Sequence, residues 1–293
     1  MGKGKAIKSG LKYFLGMKDA KDFNGVITAD SDGQHAVEDI LRISECMNET
    51  EDKLILGMRD FGDRKRVPLK SRFGNIVTTA VFRILYGKRI ADTQTGLRGI
   101  PKGLVKCFVD LSGDRFQYEM NMLIQCAVNH IEIKDVPIQT IYRNNNSETH
   151  FRPIQDSIAI YALMLRSFFA YTCASILSFF IDIGLFQLVL ILCGLGNLTS
   201  KIFLSTIVAR TGSAMLNYRM NKKVVFQSKA KGIWWKYLAL CVIQMLISAA
   251  LVSMASGLIY GRETFIKIVV DSCLFFLSYQ IQRNFIFKNN LVE

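Results

Sequence analysis

The second half of the chain most constrains the fold, because long apolar stretches dominate it from Phe169 onward. This half contains 12 Lys and Arg but only 4 Asp and Glu, whereas the 168 residues before it contain 25 and 20. A helix of about 20 apolar residues crosses a bilayer, and four stretches approach that length. They lie at about 169–192, 202–218, 236–260 and 265–283. The sequence predicts a soluble front part followed by an all-α, four-helix transmembrane domain, and excludes a disordered chain and a purely cytosolic enzyme.

The charge of one loop predicts the orientation in the membrane. The segment from Asn217 to Lys236 carries six Lys and Arg and no acidic residue. Because positive loops stay on the cytoplasmic side, we place this loop and both chain termini in the cytoplasm. The opening residues have frequent lysines and no apolar core, which argues against a secretory signal.

The front part alternates apolar strand patterns with helical ones, which predicts an α/β layer structure with a mostly parallel sheet. Its first strand, Val26 to Ala29, runs directly into Asp30-Ser31-Asp32-Gly33. Ligands collect at the carboxyl ends of such strands, and two carboxylates there suit a hard cation such as Mg²⁺ or Mn²⁺. The alternative is an ordinary Asp-rich turn, because this tetrapeptide also favours turns.

Three arginines strengthen the interpretation as a phosphate site. Arg59, Arg72 and Arg98 lie in segments rich in Gly, Thr, Ser and Asn, which we predict to be loops. A guanidinium group binds phosphate oxygens in a bidentate manner, although each arginine alone is more typical of a solvated surface charge than of a phosphate contact. The neighbouring membrane part indicates a lipid-linked phosphate as partner.

A series of motifs resembles one family over residues 2 to about 168. The family is the bacterial family-two glycosyltransferases related to dolichol-phosphate mannose synthase. The motifs, in chain order, are GKGKAIKSG, ADSDGQH, SRFGN, DTQTGLRG, DRFQYEMNML and NNNSETHFRPIQDS. The resemblance implies a GT-A (Rossmann-like) fold, a UDP- or GDP-linked nucleotide-sugar donor, a Mg²⁺ or Mn²⁺ ion, a polyprenyl (undecaprenyl) phosphate acceptor and the bacterial cytoplasmic membrane.

The resemblance also implies roles for individual residues. Asp30, Asp32 and Gln34 correspond to the metal and diphosphate site. The catalytic set comprises these two aspartates with Arg59, Arg72 and Arg98. The acceptor loop comprises Arg115, Phe116, Tyr118, Glu119 and Asn121. Tyr118 and Glu119 are on a helical stretch and are as consistent with a structural role as with a catalytic one. The implied mechanism is inverting attack by the lipid phosphate, which is already ionised near neutral pH and needs no strong general base.

One departure from the family pattern concerns the N-terminus. Met1 stands directly before the Gly2-Lys3-Gly4 motif, which in the family follows the first strands of the sheet. We therefore expect a GT-A domain over 1–152 that lacks its first strands, exposes a sheet edge and binds donor poorly. Residues 153–168 form a predicted amphipathic juxtamembrane helix that begins at Pro153, or else an ordinary packed helix.

The membrane part, 169–293, resembles the GtrA-like family of four-span proteins. It contains a faint internal repeat, because Asn221 to Phe226 and Gln282 to Phe287 share the pattern amide, base, any residue, two apolar residues, Phe. We interpret this pattern as two parallel two-helix repeats, with chance similarity as the alternative.

Three ionisable residues lie within the predicted spans: Asp182, Arg210 and Asp271. Because charges there are costly, we expect Asp182 and Arg210 to face each other. They form either a structural ion pair or a contact for a lipid headgroup or sugar.

Two functions are consistent with these sequence features. The first is a membrane-bound inverting glycosyltransferase for cell-surface polysaccharide or glycan synthesis, impaired by the missing strands. The second is a non-enzymatic membrane protein that recruits or translocates polyprenyl-linked sugars. No aromatic-basic binding module accompanies the net charge of +13, which argues against nucleic acid as a partner. The sugar, the nucleotide and the oligomeric state, including a homo-oligomer, stay open.

Overall fold

The computed structural model describes residues 2–59, 69–139, 152–193, 197–258 and 263–288. The predicted polar loop at 144–153 lies almost entirely outside these ranges. Contacts divide the chain into a front unit, Met1–Leu165, and a membrane unit, Arg166–Glu293. The elements of the front part are α1 (Lys3–Gly16), β1 (Gly25–Thr28), α2 (Val37–Glu49), β2 (Leu54–Arg59), α3 (Leu69–Tyr86), β3 (Arg98–Pro101), α4 (Lys102–Val109), α5 (Gln117–Val128) and β4 (Ile133–Ile138).

The sheet of the front unit is mixed, with the strand order β1-β3-β2-β4. Strand β3 is antiparallel to both β1 and β2, whereas β2 and β4 are parallel. The α/β class is confirmed, but the prediction of a mostly parallel sheet is wrong. Strand β3 was not predicted because its four residues, Arg98 to Pro101, include an arginine, a glycine and a proline. Gly and Pro are uncommon in strands, and with them the segment lacks the alternation of apolar and polar residues from which a strand is predicted.

The core of this unit lies between α2 and one face of the sheet. Ile43, Cys46 and Met47 of α2 pack against Ile55 and Leu97, and all five are buried. The helix approaches β3 so closely that a Cβ at position 99 would lie 2.9 Å from Ile43 Cγ2. The packing of an apolar helix face on apolar strands holds the loops at the strand ends in place.

The membrane unit is helical. Its helices are α6 (Pro153–Leu192), which begins in the front unit, α7 (Leu198–Met220), α8 (Trp234–Leu258) and α9 (Glu263–Ile281). The predicted juxtamembrane helix and first span form a single helix, because no Pro or Gly interrupts residues 154–183.

Three helices in the described ranges are long and apolar enough to cross a membrane. They are Ile154–Leu192, Trp234–Ala255 and Thr264–Ile286. Helix α7 contains the second predicted span but falls short of this measure, since Lys201, Arg210 and several Ser and Thr residues lower its mean hydropathy. The count of four spans therefore stays a prediction.

The faint repeat is a structural feature of the membrane unit. Helices α7 and α9 each continue into a five-residue π-helical turn, Asn221–Val225 and Gln282–Ile286. Asn221 Nδ2 donates to Gln282 Oε1 at 2.9 Å, and the Phe226 and Phe287 rings stack with centroids 5.3 Å apart. Equivalent residues of the two repeats thus contact each other, which supports the interpretation as a repeat over chance similarity.

Candidate functional site

The carboxylate of Asp30 lies just beyond the end of β1, where the sequence predicts the site. It is packed against Gly96, where an added Cβ would lie 2.2 Å from Asp30 Oδ2. Thr28 Oγ1 donates to the carbonyl oxygen of Gly96 at 3.1 Å and fixes this approach. Position 96 therefore requires glycine, because any side chain would displace Asp30.

An ammonium group bridges Asp30 to the predicted acceptor loop. Lys3 Nζ lies 2.6 Å from Asp30 Oδ1 and 2.9 Å from Glu119 Oε2. Burial opposes a charge on Lys3, but the Glu119 and Asp30 carboxylates outweigh burial and raise the pKa of Lys3. Burial likewise opposes a charge on Asp30, but the neighbouring His35 and Lys3 lower the pKa of Asp30. Lys3 and Asp30 are therefore both charged at neutral pH.

The Gly-Lys-Gly motif explains how Lys3 reaches this position. A Cβ at Gly2 would lie 2.2 Å from the carbonyl oxygen of Asp114, and one at Gly4 would lie 2.5 Å from Tyr118 Cβ. The Lys5 amide donates to the same Asp114 oxygen at 3.1 Å. The two glycines let the start of α1 lie directly on residues 114–118, and the lysine between them points at the carboxylates.

Arg98 is buried beneath this bridge. It lies on β3 rather than in a loop, is 1% exposed, and donates through Nη1 to the carbonyl oxygen of Glu119 at 2.8 Å. Its Nε donates to the carbonyl oxygen of Thr95 at 3.0 Å. Arg98 thus holds α5 against the segment that carries Gly96, and its contact with a phosphate stays a prediction.

Several buried polar atoms around the bridge have no hydrogen-bond partner among the described residues. They are both ring nitrogens of His35, Thr95 Oγ1, Arg98 Nη2 and Glu119 Oε1. His35 Nε2 lies 3.9 Å from Asp30 Oδ2, and Arg98 Nε lies 3.9 Å from Glu119 Oε1. Buried polar groups are nearly always satisfied in proteins, so this concentration marks a place that a ligand or ordered water completes.

Arg59 and Arg72 also lie in regular elements, so the prediction that they lie in loops is wrong. Arg59 ends β2 and forms a bidentate pair with the buried Asp92, with Nε 2.6 Å from Oδ2 and Nη2 2.9 Å from Oδ1. Arg72 lies in the first turn of α3. On the same helix, Asn75 Oδ1 accepts from the amide and hydroxyl of Thr93, both at 3.1 Å. The SRFGN and DTQTGLRG motifs are therefore in contact. That their arginines bind phosphate stays a prediction.

The predicted acceptor loop is tied to the start of α6. Arg115 Nε donates to Asp156 Oδ1 at 2.8 Å, and Nη2 donates to Oδ2 at 3.0 Å. Tyr118 is fully buried, its hydroxyl donates to the carbonyl oxygen of Phe108, and burial raises its pKa to about 12. Asn121 Nδ2 donates to both the carbonyl oxygen and Oγ of Ser112 at 3.1 Å. Tyr118 and Asn121 thus make structural contacts, whereas Lys3 contacts Glu119.

The donor set at the end of β1 fits a magnesium or manganese ion that shares its coordination with a substrate. Asp32 is exposed, and its Oδ1 accepts from the amide of Gln34 at 3.1 Å. Within the described ranges, no three His, Cys, Asp or Glu side chains form a complete cage. Mg²⁺ typically takes one or two carboxylates and completes its shell with water and phosphate oxygens. The position of the Lys3 ammonium at Asp30 shows that this carboxylate accommodates a cation.

The polar residues of the membrane unit form two further pairs. Arg210 Nη1 lies 3.8 Å from Asp182 Oδ2, so the expected facing of these residues is confirmed. Asp271 accepts from Lys267 Nζ at 2.8 Å and from Ser248 Oγ at 2.5 Å. Asp271 and Lys267 line an open groove of about 860 Å³ whose walls include several phenylalanines.

Three residues that build the site were not predicted from the sequence: Lys3, His35 and Asp92. Lys3 had a usable signal, since a lysine between two glycines at the start of a helix indicates a backbone in close contact with another segment. His35 lies within the quoted ADSDGQH motif and Asp92 within DTQTGLRG. Their pairing with Asp30 and Arg59 depends on the tertiary structure, which a single sequence does not reveal.

Comparisons with known proteins cover both parts of the chain. Residues 170–287 match the family described as GtrA/DPMS, transmembrane domain. A UDP-N-acetylglucosamine–dolichyl-phosphate N-acetylglucosaminyltransferase of Methanococcus voltae is 32% identical over 146 residues, covering 48% of this chain and 56% of the relative. A dolichyl-phosphate hexose transferase of Haloferax volcanii is 28% identical over 141 residues, covering 48% and 60%. An uncharacterized protein of Methanocaldococcus jannaschii is 27% identical over 171 residues, covering 57% and 69%.

The chain thus spans between about half and two thirds of the length of these archaeal relatives. The apolar helices and the family match make it a multi-pass membrane protein. The bacterial membrane and the cytoplasmic position of both termini stay predictions. The predicted resemblance is confirmed: residues 170–287 match the GtrA/DPMS transmembrane-domain family, and the front part is similar to glycosyltransferases named for dolichyl phosphate.

Proposed function

We propose that this protein transfers a sugar from a nucleotide-sugar to a polyprenyl phosphate at the membrane surface, with inversion at the anomeric carbon. Its relatives include enzymes named for sugar transfer to dolichyl phosphate. The donor is a UDP- or GDP-linked sugar, and the product serves the synthesis of cell-surface glycans.

The observation that carries the proposal is the bridge between the two halves of the site. Asp30, which follows β1, and Glu119, on α5, contact one ammonium at 2.6 and 2.9 Å. In the proposed enzyme, Asp30 belongs to the donor side and Glu119 to the acceptor side. A transfer reaction needs its two substrates within contact distance, and this bridge brings their binding residues together.

Each residue has a defined task in the proposed mechanism. Asp30 and Asp32 hold the divalent ion, which supplies positive charge to the leaving diphosphate when it is bound. Arg115 stays paired with Asp156 and holds the acceptor loop against α6, the helix that leads into the membrane unit. The attacking phosphate oxygen is already ionised, so the site positions and neutralises charge and does not need to remove a proton.

The test is transfer of radiolabelled sugar to undecaprenyl and dolichyl phosphate by the full chain in membranes. A panel of UDP- and GDP-sugars serves as donors, beginning with UDP-N-acetylglucosamine, for which one relative is named. We expect transfer that requires Mg²⁺ or Mn²⁺ and falls at least about 100-fold in Asp32→Ala. The matched control is Asp52→Ala, an exposed aspartate just before β2, which should retain wild-type transfer.

Two outcomes would contradict the proposal. Transfer that survives both EDTA and Asp32→Ala would exclude the assigned metal site. No transfer with any donor, from protein that is folded and membrane-inserted, would exclude the activity of this chain. The poor donor binding expected from the sequence stays a prediction, which the donor concentration needed for half-maximal transfer tests.

A further inference from the structure

We propose that Lys3 is a positioning residue that occupies the cation site at Asp30 until a divalent ion arrives, and then remains with Glu119. This inference rests on the proposed function, because it assumes that a divalent ion binds at Asp30. It assigns a task in the reaction to the Lys3 ammonium, which the proposed function treats only as the bridge between Asp30 and Glu119.

The geometry indicates that Lys3 and a divalent ion compete for one carboxylate. Lys3 Nζ contacts Asp30 Oδ1 at 2.6 Å. The carboxylate is also packed against Gly96, where an added Cβ would lie 2.2 Å from Oδ2. Two cations at contact distance from the same partly buried carboxylate repel each other strongly. Binding of the ion therefore requires the Lys3 ammonium to move away from Asp30.

Lys3 is anchored more firmly on the Glu119 side. Gly2 and Gly4 lie directly against residues 114–118, the segment that leads into α5. Glu119 lies in the first turn of α5, so Lys3 and Glu119 are attached to the same packed segment. Asp30 lies on a different element, after β1. The contact between Lys3 and Asp30 is accordingly the one that a divalent ion replaces.

This exchange links the two sides of the site. Before the ion binds, the ammonium neutralises two carboxylates that would otherwise repel each other and separate α5 from the end of β1. After the exchange, Lys3 no longer shares its positive charge with Asp30. That charge then offsets the negative charge of the substrate phosphate groups between Asp30 and Glu119. Lys3 thus keeps the acceptor side in place while the donor side is being loaded.

The experiment measures Mn²⁺ binding to the purified full chain in detergent by electron paramagnetic resonance, with transfer measured on the same samples. In Lys3→Met, we expect Mn²⁺ to bind about tenfold more tightly than in wild type, because a competing charge is gone, while transfer falls at least about tenfold. Tighter Mn²⁺ binding together with slower transfer is informative, since damage to the fold would weaken both Mn²⁺ binding and transfer. Lys3→Arg retains the charge and should keep Mn²⁺ affinity near that of wild type.

Two further variants make the test specific. Lys12→Met removes a charge from an exposed position of α1, about 13 Å along the helix, and should leave Mn²⁺ affinity and transfer unchanged. Glu119→Gln leaves Lys3 with Asp30 as its remaining carboxylate and should weaken Mn²⁺ binding. Glu119→Gln thus tests the same inference if Lys3→Met does not fold, because the expected change in Mn²⁺ affinity is a decrease instead of an increase.

The failure of this inference is distinguishable from failure of the proposed function. Metal-dependent transfer in wild type, combined with unchanged or weaker Mn²⁺ binding in Lys3→Met, would refute the role of Lys3 and leave the transfer function intact. If wild type shows neither Mn²⁺ binding nor transfer, the proposed function and this inference are both refuted.

Discussion

Two polar clusters in this molecule are built from different chemistry. The ionic cluster of the front unit comprises Lys3, Asp30, Arg98 and Glu119. The amide cluster of the membrane unit comprises Tyr171, Asn217, Asn221, Tyr237 and Gln282. The side chains of Lys3 and Asp30 are 21% and 31% exposed, whereas Asn221 and Gln282 are buried. The ionic cluster thus combines two charged groups that water reaches with the buried Arg98 and Glu119, whereas Asn221 and Gln282 of the amide cluster are buried and neutral.

The physical reason is the cost of burying charge. An ionised group in a low-dielectric interior costs far more free energy than an amide that keeps its hydrogen bonds. The amide cluster connects its members directly, as Gln282 Nε2 donates to Tyr171 OH at 3.2 Å and Tyr237 OH donates to Asn217 Oδ1 at 2.8 Å. Among the described residues, Asn221 Oδ1 is the atom of this cluster that is buried without a hydrogen-bond partner. The ionic cluster can exchange partners with a charged ligand, while the amide cluster holds the two repeats together.

The largest effect is expected from removing the buried charge of the ionic cluster. Arg98→Met removes the donors to the carbonyl oxygens of Thr95 and Glu119 and leaves the Glu119 carboxylate less compensated, so we expect a loss of about 3–5 kcal/mol of stability in the front unit. Hydrogen exchange of the β3 and α5 amides measures this loss. The exposed Arg83→Met on α3 is the control. Equal exchange in the two variants would show that burial of Arg98 does not stabilise the unit.

A smaller effect is expected at the contact between the repeats. Asn221→Leu and Gln282→Leu should each cost about 1–2 kcal/mol, and the double variant should cost less than their sum by about 0.5–1.5 kcal/mol. Fluorescence-monitored thermal unfolding suits this measurement, because both tryptophans of the chain are in α8 and Trp234 packs on Tyr237 of the amide cluster. Strict additivity would mean that the two amides do not depend on each other.

The smallest effect is expected where the membrane unit does carry charge. Arg210 Nη1 lies 3.8 Å from Asp182 Oδ2, which is longer than a hydrogen bond, so Asp182→Asn should cost no more than about 1 kcal/mol. The new amide oxygen can still accept from Ser213 Oγ, which now lies 2.9 Å from Asp182 Oδ1. Thermal unfolding of Asp182→Asn against wild type measures this cost. A loss as large as that of Arg98→Met would indicate that the membrane unit depends on ionic contacts after all.

Much of the local structure follows from short-range pattern. The apolar run before Asp30 predicts β1, and the pattern of residues 153–168 predicts the first part of α6 with its start at Pro153. Strand β3 escapes prediction because four residues that include Gly and Pro have no visible alternation. The extent of α6 was also underestimated, because a change from amphipathic to apolar character does not end a helix in the absence of Pro or Gly.

The sequence by itself determined the division into a charged front part and an apolar membrane part, the strand end that carries Asp30 and Asp32, and the repeat ending in Phe226 and Phe287. These are properties of composition and of neighbours in the chain. Only the tertiary structure decided that Lys3 bridges Asp30 and Glu119, and that Arg98 is buried beneath them. These contacts join residues up to 116 positions apart in sequence, and they exist because α1, β1, β3 and α5 pack around one point.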